Sequence, residues 1–300
     1  MRTIIRKFDG SIRDAEGLVA VEHATFNESP YTAEQVARML SSGPQRAWLA
    51  TAGPQVIGFV IAFPTVSLKG RRWEIDLLAV LPEWQGRGLA TRLIRTAATS
   101  GMATRLTGAA AEARAVVATD NAPSTRAFTR AGFRAQPDTC TLLIYRTVGL
   151  ASVPGAGGDV RIREATDASE VAMWNPDLPS VELGSGLTLL RAEREGRPTG
   201  YAELIQVETL LYRGLWIESL VAPDSKSRKA LVDEAVSQAV TSGLDEIGAM
   251  VPEEDWLLRD SLLARGFRSL GSFRWLVARL PLPGLALSSD SGPERDHGRL

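Results

Sequence analysis

The stretch Leu78–Leu93, LAVLPEWQGRGLATRL, runs an apolar strand through a turn with two glycines into a helix. A second strand and helix, LVAPDSKSRKALVDEAV at Leu220–Val236, follow in the same order without a glycine. This repetition constrains the fold more than any other feature. Pro82 and Pro223 lie 141 residues apart, and the helix-ending glycines Gly132 and Gly266 lie 134 apart. A period that long means one fold built twice rather than a short-repeat solenoid. The chain of 300 residues has room for two ordinary domains.

The punctuation agrees. VGLASVPGAGGDV has no periodicity and reads as a linker over 148–159. Residues 282–300, rich in Pro, Ser and Gly, read as a tail. The first domain is then 1–147. It opens with a strand and a helix, and TAEQ at Thr32–Gln35 is a capping box for a second helix. Two strands follow around an Ala-Gly-Pro-Gln turn, then RWEIDLLAV, the glycine turn with its helix, the strand RAVVATD, a helix ending at Gly132, and TCTLLIYRT as the closing strand. The second domain, 160–281, repeats most of this. DVRIREAT leads to a helix, a hairpin turns at Glu-Gly-Arg-Pro, and FRWLVARL closes the domain.

Composition excludes several classes. Net charge is −1, so no global field points to nucleic acid or an anionic membrane. No apolar run of about 18 residues predicts a membrane span. The N-terminal segment lacks a signal-peptide core, and a cytoplasmic location is expected. Cys140 alone excludes an internal disulfide and reads as a buried small hydrophobe. Two histidines, His23 and His297, argue against a histidine metal site. A monomer or homodimer is expected.

Three phosphate-binding readings compete for the glycine turn. A dinucleotide turn needs a third glycine, and Thr91 stands there. A P-loop needs a lysine after its last glycine, and Leu89 follows Gly88. Gln85-x-x-Gly88-x-Ala90 satisfies a third pattern, Gln/Arg-x-x-Gly-x-Gly/Ala. Unpaired N–H groups at a helix start and the helix dipole favour an anion. Gly86 and Gly88 allow close approach, and Arg87 adds charge at the rim.

That motif, with LAVLPEW before it and VVATDNAPSTRAFTRAGF downstream, resembles the GNAT superfamily of acetyl-CoA-dependent N-acetyltransferases. VEHATFNESPYTAEQV is similar to the first-helix segment of members that acetylate peptide N-terminal amines, such as ribosomal-protein alanine acetyltransferases. The resemblance implies an α/β fold of two tandem GNAT domains, each a mixed, mostly antiparallel sheet flanked by helices. It implies that the N–H groups of Gly86, Arg87, Gly88, Leu89, Ala90 and Thr91, with Gln85, hold the coenzyme A pyrophosphate. The backbone of Leu78, Ala79 and Val80 would pair with the pantetheine arm as an added strand would. Asn121 would contact the same arm. The expected partners are acetyl-CoA and an amine-bearing acceptor, a peptide N-terminus or a small molecule.

Such chemistry needs a neutral amine and a stabilised oxyanion, the latter served by an N–H near Leu78. Glu74 and Asp76 stand two apart on one strand, about 6–7 Å from each other, and are the candidate bases. Mutual repulsion would raise one of their pKa values. The bland alternative is that they face solvent or an arginine such as Arg71 or Arg72. In many GNAT members a tyrosine five residues before the terminal phenylalanine protonates the leaving thiolate; here Phe128 stands at that position. This keeps open a non-catalytic acetyl-CoA-binding protein, and a longer acyl-CoA donor is a further alternative. In the second half Asp224–Lys229 has no glycine, so that domain is expected to have lost its cofactor site.

Overall fold

The computed structural model describes residues 2–26, 31–101, 110–150, 159–174, 186–210 and 212–282. The expected linker at 148–159 and the tail at 282–300 fall largely outside these residues.

The first half contains β1 (Thr3–Lys7), α1 (Ile12–Phe26), α2 (Ala33–Ser42), β2 (Arg46–Ala52), β3 (Gln55–Ser67), β4 (Gly70–Val80), α3 (Leu89–Gly101), β5 (Glu112–Ala118), α4 (Ala122–Ala131), β6 (Arg134–Ala135) and β7 (Cys140–Arg146). The second half contains β8 (Arg161–Glu164), β9 (Leu187–Arg194), β10 (Arg197–Glu208), β11 (Arg213–Val221), α5 (Ser225–Thr241), β12 (Glu246–Pro252), α6 (Trp256–Arg265) and β13 (Arg268–Arg279). The capping box forms as read: the Thr32 side chain accepts from Gln35 N–H, and the Gln35 side chain accepts from Thr32 N–H. The helix expected after β8 is only a 3-10 turn at Ala168–Val171; 175–185 lie outside the described residues.

All strands but β6 join in one path, β1-β2-β3-β4-β5-β13-β7-β12-β11-β10-β9-β8. Two pairs are parallel, β4 with β5 and β11 with β12, and the rest are antiparallel. The order holds a crossing that periodicity does not reveal. β13, the last strand of the second half, pairs with β5 of the first. β7, the last strand of the first half, pairs with β12 of the second. Each half thus completes its sheet with the other's closing strand.

The duplication is visible in register. Asp76 is an extra residue in β4, between Ile75 and Leu77, which face Ala62 and Ile61. Glu218 is the same kind of bulge in β11, between Ile217 and Ser219, opposite Leu204 and Glu203. They lie 142 residues apart. Asn121 and Asp255 cap α4 and α6 in the same way, and are 134 apart. The difference of eight residues therefore falls between the bulge and the second helix, in the segment that contains the glycine turn.

Hairpin tips cross between the halves as well. Leu68, at the β3–β4 tip, is 1% exposed and packs with Ala168, Val171, Leu189 and Tyr201 of the second half. Leu210, at the β10–β11 tip, joins the first-half core. Burying such a leucine contributes about 1.5–3 kcal/mol.

Candidate active site

The turn from β4 to α3 follows from its residues. Leu81 N–H still donates to Ile57 O across the β3–β4 ladder, at 3.0 Å. Pro82–Trp84 make one 3-10 turn. Gly86 and Gly88 then take φ of +74° and +75°, a region that side-chain-bearing residues avoid. A Cβ at either would meet no atom within 4 Å, so both glycines border open space. Among the described residues no acceptor takes the N–H groups of residues 86–91. The positive end of α3 therefore faces outward with its donors unused. Side chains brace the turn from behind. Gln85 Nε2 donates to Val80 O at 3.0 Å. The Arg87 guanidinium donates to Glu83 O at 3.0 Å and lies 4.7 Å from the Trp84 ring centre. Thr91 Oγ1 donates to Ala127 O, tying α3 to α4, and Leu89 sits in the core.

Beside the turn, β4 parts from β5. Their pairing covers only Arg72–Glu74 against Glu112–Arg114, while β4 runs on to Val80 and β5 to Ala118. Antiparallel ladders alternate, so the Leu81 bond to β3 implies that Ala79 also turns its N–H and C=O toward β3. Leu78 and Val80 turn theirs to the other side, where β5 has departed and Gln85 Nε2 donates to Val80 O. Ala79 thus contributes to the open edge through its place in the strand and not through its own backbone groups.

The two carboxylates differ sharply. Glu74 accepts from Arg114 Nε with both oxygens at 2.8 Å and from Thr65 Oγ1 at 2.7 Å. Arg114 reaches on to Glu218, with contacts of 3.0 and 2.8 Å, and Arg72 also pairs with Glu218. Four charges from both halves close on one another, with Arg114 lying 3.9 Å over the Trp275 ring. Burial alone would raise the Glu218 pKa, but the charges of Arg114 and Arg72 hold it at about 2. Asp76 has no cation among these contacts. Burial pushes its pKa up to about 6; a hydrogen bond from Thr209 opposes that rise, and the charge of Glu74 adds to it. The expected repulsion is thus present but ranks behind desolvation. Asp76 Oδ2 is buried and has no partner among the described residues.

Two further candidates have local structural partners. Asn121 is the N-cap of α4, its Oδ1 accepting from Ser124 N–H at 3.1 Å. Phe128 is buried, edge-on to Phe133 with centroids 5.1 Å apart, so its ring belongs to the core. Sequence reading missed Arg114, which is distant in sequence from Glu74 and is brought beside it by the pairing of β4 with β5.

The second half closes its version of the turn. Asp224 Oδ1 accepts from Ser227 N–H at 2.9 Å, so a side chain already occupies the start of α5. Arg228 is buried and donates to Ala222 O at 2.9 Å. Lys226 pairs with Asp159.

Residues 16–133 match the model of the acetyltransferase (GNAT) family. No curated protein sequence matches the chain. Among solved structures, a GCN5-related N-acetyltransferase from Sphaerobacter thermophilus is similar with a TM-score of 0.55 at 16% identity, covering 95% of this chain and 98% of that one. A tandem GNAT protein from the clavulanic acid biosynthesis pathway gives 0.51 at 12% identity, covering 93% and 98%. A GCN5-related glucosamine N-acetyltransferase region of a fungal multi-domain GH3 β-N-acetylglucosaminidase gives 0.56 at 16% identity, covering 92% of this chain and 38% of that one. At such identities the likeness speaks for the fold. The chain is a tandem protein of the mixed α/β GNAT fold, and its N-terminal half carries the pattern of the acetyltransferase family.

Proposed function

We propose that the protein transfers an acetyl group from acetyl-CoA to a primary amine of a peptide or small molecule, with the chemistry in the N-terminal half. The observation that carries this reading is the continuity of two open features. The unused donors of residues 86–91 lie at the end of the strand edge that β5 leaves free. A pyrophosphate on one and an extended amide-bearing arm on the other is what coenzyme A offers. Acetyl-CoA, as substrate, supplies an acyl group activated as a thioester. Gly86–Thr91 bind the diphosphate, with Arg87 at the rim. Leu78 and Val80 pair with the arm, and Leu78 N–H, on the open side, is the donor for developing negative charge. Asp76, two residues before Leu78, accepts the proton of the amine. Glu74, held by Arg114, serves the scaffold.

A peptide α-amine with a pKa near 8 is about a tenth neutral at pH 7, whereas a lysine amine near 10.4 costs roughly 4–5 kcal/mol to deprotonate. A carboxylate at about 6 suits the α-amine better. That agrees with the resemblance of the Val21–Val36 segment to peptide N-terminal acetyltransferases. Thiol release from acetyl-CoA, measured with Ala-headed peptides, lysine peptides and small amines, tests the reading. Turnover should appear with at least one class, and Asp76→Asn should lower kcat/KM about 10²–10⁴-fold. The buried, hydroxyl-free ring of Phe128 favours one competing reading, an acetyl-CoA-binding protein without turnover. Tight binding of acetyl-CoA with no thiol release for any amine would establish it.

A further inference from the structure

Trp275 stands on β13, a central strand between β5 and β7, yet among the described residues its ring joins none of the apolar cores. Leu276 and Ala278 on the same strand are 1% and 5% exposed and share the first-half core with Leu93 and Ile94 of α3. Side chains alternate along a strand, so Trp275 points to the opposite face, where it is half-buried. One face of its ring is covered by the Arg114 guanidinium, 3.9 Å from the ring centre. Trp216 stands edge-on to it with centroids 6.4 Å apart, and Tyr212 edge-on to Trp216 at 6.0 Å. All three rings come from the second half, and all are half-buried.

This row ends beside the gap between β4 and β5. The pairing of those strands stops at Glu74 and Arg114, and Trp275 faces Val116, two residues further along β5. Neighbouring strands lie about 4.8 Å apart, so only β5 separates the strand of Trp275 from the gap. The arginine in the row brings no free charge, because Glu74 and Glu218 already hold it. What the second half offers there is aromatic surface, which favours a ring or another apolar group.

We propose that Trp275 determines acceptor specificity: the second half presents this ring to the group that carries the amine, and the acceptor is a primary amine on an aromatic-sized apolar group. The proposal rests on the reading of the first half as acetyl-transferring, and it names the substrate class for that reading. Two sources share this chemistry, a free arylalkylamine and a peptide that begins with phenylalanine. Either brings a ring close to a primary amine.

The test is thiol release from acetyl-CoA by the full-length protein with matched acceptors. 2-Phenylethylamine is compared with ethylamine, and a Phe-headed peptide with the same peptide headed by Ala. In at least one pair the aromatic member should have a kcat/KM about tenfold or more above its partner. Which pair shows this separates the free amine from the peptide. Trp275→Leu keeps apolar bulk and removes the ring. There the preference should fall to about twofold or less, through a rise in KM for the aromatic acceptor rather than a fall in kcat. Trp275→Phe, with a smaller ring, should show an intermediate preference, and it stands in if the leucine variant does not fold. No preference in the wild type, or an unchanged preference in a folded variant, would overturn the proposal. So would a loss shared equally by both members of a pair, which is what a purely structural role would give. No thiol release with any amine would remove the transfer reading instead. Trp275 is then judged by binding of 2-phenylethylamine in the presence of coenzyme A, titrated by saturation-transfer NMR. Affinity about tenfold weaker in Trp275→Leu supports the proposal, and equal affinity or no binding overturns it.

Discussion

Asp76 is desolvated without a cation beside it, and burial pushes its pKa up to about 6, whereas Glu74 is held by the Arg114 guanidinium. The acid limb of kcat/KM should therefore fall near pH 6, with activity present above it and lost as the carboxylate takes up a proton below it. A limb near 4 would instead point to a carboxylate that burial has not shifted. Glu218 works in the opposite sense. Its ordinary value of 4.5 drops to about 2 on folding, so its pairing contributes stability that is full above about 4.5 and lost as pH falls toward 2. Removing one partner of such a buried pair strands the rest, and Glu218→Gln should cost about 3–5 kcal/mol at pH 7 in urea denaturation. That cost should shrink as pH falls from 4.5 to 2. The carboxylate pair itself was legible in the sequence, with Arg71 or Arg72 as a partner only in the bland alternative. Arg114 was not, because it arrives from the adjacent strand 40 residues later. Nor was Glu218 in this role, because it comes from the other half.

The strand–turn–helix unit contains most of what the sequence disclosed about the site. Gly86 and Gly88 stood out because the pattern around them demanded small residues, and their positive φ supplies the reason. The parting of β4 from β5 has no such local signature; it follows from where ladder pairing stops. The second turn was legible in the negative, as a turn without glycine, and Asp224 and Arg228 show how its space is used instead. Lys226 stands outside that arrangement on an exposed ion pair. Replacing it with alanine should leave acetyl-CoA binding unchanged in calorimetry, and a several-fold loss would mean that the second turn still holds an anion. Among the described residues, the segment after β8 that reads as a helix forms one 3-10 turn behind an Asp cap.

Across the whole molecule, the two halves are tied by exchanged strands and exchanged hairpin tips. Spacing revealed that the fold was built twice, because the bulges, caps and helix ends recur locally. It could not reveal that β13 would pair with β5, since spacing along the chain does not say which sheet a closing strand joins. Leu68→Ala should destabilise the protein by about 2–5 kcal/mol, as expected for a buried leucine. The loss should appear in one cooperative transition. Two separate transitions, with only one affected, would contradict the interlocked arrangement. The central claim is that one half binds acetyl-CoA through its glycine turn while the other half supports it. Calorimetric titration of acetyl-CoA into the full-length protein tests this most directly. One equivalent should bind, and Gly88→Glu should abolish that binding while the protein stays folded. Two equivalents, or binding that survives Gly88→Glu, would contradict it.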